Sequence, residues 1–227
     1  MEKRILIYGA GGHCKTVISL LRLLDWSIAG VIDDNVEPGT SISGIPVLGK
    51  ADLLPKLRAD GVENAVNAVG GIGNYAVRWK IFEHLRELEF RFPTLIHPAA
   101  FVEDTVTLAE GIQILAQSYI SSESTVGFGT LINAGVIISH DGAIGRCVNL
   151  SPGALLAGAV TVKDFAQIGM GATVNLGLTV GSGARVGNSA VVKGDVPDNG
   201  RVYAGMIWPP LTVDKVPGPG KNLKKFA

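Results

Sequence analysis

Charge is scarce in this chain. Only 18% of its 227 residues are Asp, Glu, Lys or Arg, and 20 acidic side chains cancel 20 basic ones. Without a basic excess, nucleic acid is excluded as the main partner, because phosphate-backbone binding rests on clustered Lys and Arg. Aromatic residues are scarcer still, at 6%. The two cysteines, Cys14 and Cys147, have no metal or redox spacing around them, so no metal site is expected and both read as buried packing residues in a reducing, cytoplasmic setting. No apolar run reaches the ~18 residues of a membrane span, which predicts no membrane insertion. The run Ile5–Tyr8 meets glycine too soon to serve as a signal peptide. A chain so low in charge yet 47% hydrophobic is not disordered. What it has in abundance is glycine, 30 residues, and aliphatic side chains.

These are arranged with two different periods. In residues 1–95, short apolar runs alternate with helical patterns. Arg4–Tyr8 ends in Gly9-Ala10-Gly11-Gly12, and His13–Leu24 carries Val17, Leu20, Leu21 and Leu24 at helical spacing. Ser27–Ile32 closes on Asp33-Asp34-Asn35, and Asn64–Val69 runs into Gly70-Gly71-Ile72-Gly73. A second helix follows over Tyr75–Leu88, then a short strand near Phe92–Ile96. The βαβ order predicts a small Rossmann-like α/β domain with a parallel sheet. After Ile96 the period becomes six: every sixth residue from Ile96 to Val192 is Ile, Leu or Val, and the residue two before is usually small. A hexapeptide period marks a parallel β-helix over residues 96–196, each repeat giving one short strand with its aliphatic residue inside. Pro197 is expected to stop the repeat, leaving residues 197–227 as a closing loop and weakly basic tail through Lys221–Phe226.

Both halves together resemble a known family. Ile7-Tyr8-Gly9-Ala10-Gly11-Gly12-His13, Ile32-Asp33-Asp34-Asn35, Gly44-Ile45-Pro46-Val47-Leu48-Gly49, Ile72-Gly73-Asn74 with Arg78, Ile96-His97-Pro98, Ser139-His140-Asp141 and Ser151-Pro152-Gly153-Ala154 occur in one order. This set resembles the sugar acyltransferases of the sialic-acid O-acetyltransferase type, a group that includes N-acetyltransferases acting on nucleotide-linked 4-amino-sugars. The resemblance implies a left-handed helix with three hexapeptides per triangular coil, acetyl-CoA as co-substrate, and a homotrimer whose active sites lie between subunits. It implies transfer of acetyl to the 4-amine of a nucleotide-activated 4-amino-4,6-dideoxy sugar. Two alternatives are O-acetylation of a sugar hydroxyl and a non-catalytic, nucleotide-binding trimeric scaffold.

The chemistry converges on His140. An amine or hydroxyl attacking a thioester must shed a proton, and histidine, with an unperturbed pKa near neutrality, can accept it. Asp141 beside it can fix the ring tautomer and stabilise the imidazolium. One coil of eighteen residues beyond His140 falls Gly158, whose N–H can hold the thioester carbonyl and its developing oxyanion. By the resemblance, Asn133 and Asn149 also occupy active-site positions, although relatives often carry a histidine where Asn149 stands. An internal asparagine ladder is the competing reading for both. The resemblance also implies that Met170 and Asn188, eighteen apart, make backbone contacts to coenzyme A beside Gly158. In the first domain the helix start at Gly9, Gly11, Gly12 and His13 offers free N–H groups to phosphates. Asp33 or Asp34 can accept from a base or ribose, although Cys14 replaces the third glycine of a dinucleotide fingerprint. The resemblance implies that this domain holds the nucleotide of the sugar substrate and that the Gly73-Asn74 turn joins that site. Glycines that merely permit a tight strand–helix turn are the alternative.

Overall fold

The structure, a computed structural model, describes residues 3–210. The expected basic tail beyond Pro210 lies outside the described residues. The first region comprises β1 (Arg4–Tyr8), α1 (Gly12–Leu23), β2 (Ser27–Ile32), β3 (Ser41–Ile42), β4 (Ile45–Gly49), α2 (Leu54–Ala59), β5 (Asn64–Asn67) and α3 (Tyr75–Glu87). Its sheet has the order β3-β4-β2-β1-β5, parallel except for β3 against β4. Alternation along β1 explains the two layers. Ile5 and Ile7 pack under Val17, Ile18 and Leu21 of α1, whereas Leu6 and Tyr8 face Leu54, Ile81, Phe82 and Leu85 on the other side. The hairpin β3–β4 and helix α2 carry no clear periodicity in the sequence. The hairpin forms because Ser43 and Gly44 both take positive φ, 51° and 84°, in a two-residue turn matched to the strand twist.

The second region is a left-handed β-helix. Its two-residue strands pair in parallel with the strand eighteen residues on, as Leu131 with Asn149 and Ile137 with Leu155. Three flat faces result, and they are called here face 1 (strands from Leu95–Ile96 to Arg201–Val202), face 2 (Phe101–Val102 to Ile207–Trp208) and face 3 (Thr107–Leu108 to Thr179–Val180). The sixfold column is the core: from Ile114 to Val192 every member is buried, while Ile96, Val102 and Leu108 at the open end are half-buried. Burial of each such side chain contributes roughly 1.5–3 kcal/mol relative to exposure. Leu95–Ile96, expected as the last strand of the α/β sheet, instead pairs with Gln113–Ile114 in the prism.

Pro197 does not end the helix. Val196 bridges Val180, Arg201–Val202 pairs with Arg185–Val186, and Ile207–Trp208 pairs with Val191–Val192. The last coil is two residues shorter and, among the described residues, no coil stacks on it, so the N–H that proline lacks has no described partner to lose.

The α/β domain docks on face 1. Phe82 of α3 meets Phe128 at 4.8 Å between ring centroids, and Trp79 packs edge-on against Phe165 at 5.6 Å. Arg78, 1% exposed, donates to the Val69 carbonyl at 2.5 Å and across the junction to the Gly129 carbonyl at 2.9 Å. No described helix is long and apolar enough to cross a membrane.

Candidate active site

The chain order of the faces sorts the expected site residues onto two corners of the prism. Residues 139–142, like 157–160 one coil on, join face 2 to face 3. Residues 133–136, 151–154, 169–172 and 187–190 join face 1 to face 2. His140, Asp141 and Gly158 therefore share one corner, and Asn133, Met170 and Asn188 share the other.

At the first corner, Asp141 occupies the left-handed position of the turn, φ 60°, which Asp tolerates better than most residues. Its Oδ2 lies 2.7 Å from His140 Nδ1. A carboxylate only accepts, so Nδ1 carries the proton and the Nε2 lone pair is left free. That nitrogen lies against Gly158: a Cβ placed there would stand 2.5–2.6 Å from Cε1 and Nε2. Only glycine leaves room for the ring. The Gly158 carbonyl accepts from Gly177 at 2.9 Å, while among the described residues nothing accepts from the Gly158 N–H. Both His140 and Asp141 side chains are more than half exposed.

The second corner is enclosed. A cavity of 220 Å³ is bounded by His13, Gly71, Ile72 and Asn74 from the α/β domain and by Asn133, Asn149 and Ser151 from the prism. Asn149, buried on face 1, donates from Nδ2 to Ser151 Oγ at 3.1 Å, and Asn133 Nδ2 donates to the Leu150 carbonyl at 2.8 Å. Asn149 presses on Gly71, where a Cβ would come within 2.1 Å of its Oδ1. Met170 and Asn188 stand on this corner one coil apart, with the Met170 N–H donating to Asn188 Oδ1 at 3.0 Å. Eighteen-residue stacking fixes a column, but a shift of twelve or thirty moves the chain to another corner.

The strand order reverses direction about β1, which places the loops after β1, β2 and β5 around one crevice. Gly9 needs its φ of 108°, and Gly11 and Gly12 open α1 with free space above them. Asp33 accepts from the Ala10 N–H at 2.7 Å and the Asn35 N–H at 2.9 Å. Asp34 accepts from the Tyr8 hydroxyl at 2.6 Å. Asp33 thus braces the glycine turn, whereas Asp34 ties the Tyr8 hydroxyl to the Ala51 N–H. His13 turns to the prism rather than to the glycine loop: its Nε2 lies 2.8 Å from Gln113 Oε1, while Gln113 Nε2 donates to the Asn67 carbonyl. Oε1 must then be the acceptor, which puts the His13 proton on Nε2. Burial lowers the His13 pKa and keeps the ring neutral. Gly73 donates its N–H to Gln167 Oε1 at 3.1 Å, and Asn74 opens α3. Cys14, in the third-glycine place, is fully buried, and burial pushes its thiol up to about 11; Cys147 is buried as well, its thiol pushed up likewise to about 11. Among the described residues no group of three or more His, Cys, Asp or Glu could hold a metal.

The sequence reading missed Gln113 and Gln167, although both follow from Asn149 by steps of eighteen. It also missed the docking roles of Arg78 and Gly71, which no period marks.

A hexapeptide prism with an α/β domain on one face and a histidine–aspartate pair on a corner defines a left-handed β-helix acyltransferase. Comparison with known proteins narrows this further. Residues 4–85 match the model of the PglD N-terminal domain. PerB from Caulobacter crescentus, solved in complex with CoA and GDP-perosamine, superposes with a TM-score of 0.83 at 34% identity, over 88% of this chain and 94% of that one. The acetyltransferase domain of PglB from Neisseria gonorrhoeae FA1090, solved with acetyl coenzyme A, gives 0.81 at 30% identity over 91% and 98% of the two chains. The GDP-perosamine N-acetyltransferase of Escherichia coli O157:H7 is 29% identical over 173 residues, 74% of this chain and 76% of that protein. The chain belongs to the hexapeptide-repeat amino-sugar N-acetyltransferases.

Proposed function

We propose that the protein transfers the acetyl group of acetyl-CoA to the 4-amine of a nucleotide-linked 4-amino-4,6-dideoxy sugar, with His140 as general base. The single observation that carries this is the His140–Asp141 pair, 2.7 Å apart, whose free Nε2 lies against Gly158 one coil on. The neutral amine attacks the thioester carbon and passes its proton to Nε2, and Asp141 stabilises the resulting imidazolium. The Gly158 N–H holds the oxyanion until the C–S bond breaks and the leaving thiolate takes the proton back from Nε2. The glycine turn at Gly9–Gly12, braced by Asp33, binds the nucleotide diphosphate of the acceptor. PerB and the Escherichia coli relative make GDP-perosamine the first acceptor to test.

In a single protomer His140 is far from the enclosed corner, and a homotrimer resolves this. The outward residues of face 2 are Phe101, Tyr119, Ile137, Leu155, Thr173, Val191 and Ile207. Four of these are exposed apolar side chains, Phe101 at 64% and Ile137, Leu155 and Ile207 at 38–40%. The α/β domain covers face 1 from Leu95 to Gln167, with Arg185 half-buried and Arg201 exposed beyond it, and face 3 presents mainly threonine. Turning face 2 toward a threefold axis buries the apolar strip and sets the His140 corner of one protomer against the Asn133, Met170 and Asn188 corner of the next. Coenzyme A then lies in the groove between them, touching Gly158 of one prism and Met170 and Asn188 of its neighbour.

The test is thiol release from acetyl-CoA with GDP-, UDP- and dTDP-linked 4-amino-sugars. Nucleotide-dependent release with formation of an amide is expected. Turnover of free sugars alone, or ester formation, would overturn the reading.

A further inference from the structure

Face 1 carries a cavity of 260 Å³ beyond the Ile72 turn, and its inner wall is a column of three donors. Gln167, Arg185 and Arg201 stand on successive coils, paired in register, hence about 4.8 Å apart. Asn188 and Tyr203 border the cavity on the face 1–face 2 corner. None of the residues from Gly9 to Asp34 lines it.

Three observations point to an anion there. Arg185 and Arg201 are like charges on paired strands, an arrangement that repels, and among the described residues neither guanidinium has a carboxylate within 4.0 Å. The third arginine of the prism is built differently: Arg146 pairs with Asp164 at 2.8 Å and lies over the Trp79 and Phe165 rings. Gln167, only 7% exposed, is oriented by Gly73, whose N–H donates to Oε1, so its Nε2 is a donor by elimination. That Nε2 is the buried side-chain nitrogen without a hydrogen-bond partner among the described residues. A buried amide donor left unpaired costs stability unless a ligand supplies an acceptor. The column therefore offers only donors, two of them cationic forks suited to a group with several anionic oxygens.

We infer that this cavity binds a phosphate of the acyl donor, at the end of coenzyme A remote from the thioester. This rests on the proposed function, which runs coenzyme A along the corner carrying Met170 and Asn188. The cavity opens beside Asn188 on that corner, away from the glycine turn assigned to the acceptor's diphosphate.

The experiment compares Arg185→Gln, Arg201→Gln and the double variant with acetyl-CoA, acetyl-dephospho-CoA and S-acetylpantetheine, which has no phosphate. The double variant should raise KM for acetyl-CoA by about 10- to 100-fold, as loss of two charge-assisted contacts implies, with kcat little changed. KM for S-acetylpantetheine should be unaltered. An effect that persists with the dephospho donor assigns the diphosphate, and one that disappears assigns the ribose phosphate; either supports the cavity. Equal changes for all donors, no change at all, or a rise in KM for the nucleotide sugar instead would overturn it. Calorimetric titration of coenzyme A without acceptor reads the same contact independently of turnover. A wild type that binds coenzyme A but acetylates no amino-sugar would sink the proposed function and leave the cavity assignment standing.

Discussion

The prism and the α/β domain present their polar groups by different kinds of order. In the prism a side chain's neighbours follow from addition: His140 lies under Gly158, and Asn149 under Gln167, because strands pair at intervals of eighteen. In the α/β domain the groups that meet the prism arrive singly. His13 reaches Gln113 from the start of α1, Gly71 makes room for Asn149, and Arg78 spans to Gly129. A periodic scaffold fixes its site by register, while the docked domain fixes its share by individual contacts. The two should therefore fail differently when perturbed.

The largest effect is expected on the prism's apolar face. Ile137→Arg combined with Leu155→Arg places two charges on the strip proposed to meet the threefold axis, where desolvating them is prohibitive. Sedimentation should show folded monomers, and acetyl transfer should fall to background. A trimer that survives with full activity would mean that another face joins the subunits. Next comes His140→Ala, which should lower kcat roughly 10²- to 10⁴-fold, the usual worth of a general base, with the trimer intact. Its exposed position makes a folding defect an inadequate explanation of that loss.

The docked domain should respond in stability rather than in assembly. Arg78→Ala strands the Val69 and Gly129 carbonyls and empties a buried volume, costing about 3 kcal/mol. Thermal unfolding should then split, with the α/β domain melting before the prism; a single unshifted transition would show that Arg78 does not couple them. The smallest effect concerns His13. Its folded pKa lies below the unfolded value of about 6.5, so the unfolded chain binds the proton first. The stabilising contribution is complete above that unfolded value and is lost as pH falls through the folded one. Between pH 7.5 and 5.5 the wild type should lose more thermal stability than His13→Gln, whose amide can still donate to Gln113; identical slopes would contradict a neutral, buried His13.

The contrast also explains what the sequence made legible. The six-residue period named the prism core residue by residue, and one coil added to His140 led to Gly158, which lies against its ring. The two expected coenzyme A contacts, Met170 and Asn188, differ from Gly158 by twelve and thirty, multiples of six and not of eighteen. They occupy equivalent positions on another corner. Pro197 misled because a proline forbids a ladder bond only where a neighbouring strand needs one, and among the described residues no coil stacks on the last one. The hairpin and α2 between Ile32 and Asn64 were invisible for want of periodicity. The role of Arg78 was hidden because its charge gives no sign of burial when both its acceptors are backbone carbonyls distant in sequence.

The central claim is that His140 of one protomer serves the enclosed corner of the next. Mixed trimers assembled from His140→Ala and a corner variant inactive by itself, with Asn133→Leu the first choice, test it most directly. If sites are shared, equal mixing leaves about a quarter of them with both parts native, and roughly that share of the wild-type rate should return. If each site lies within one chain, every site in the mixture carries a defect. Activity no higher than that of the separate variants would then contradict the account.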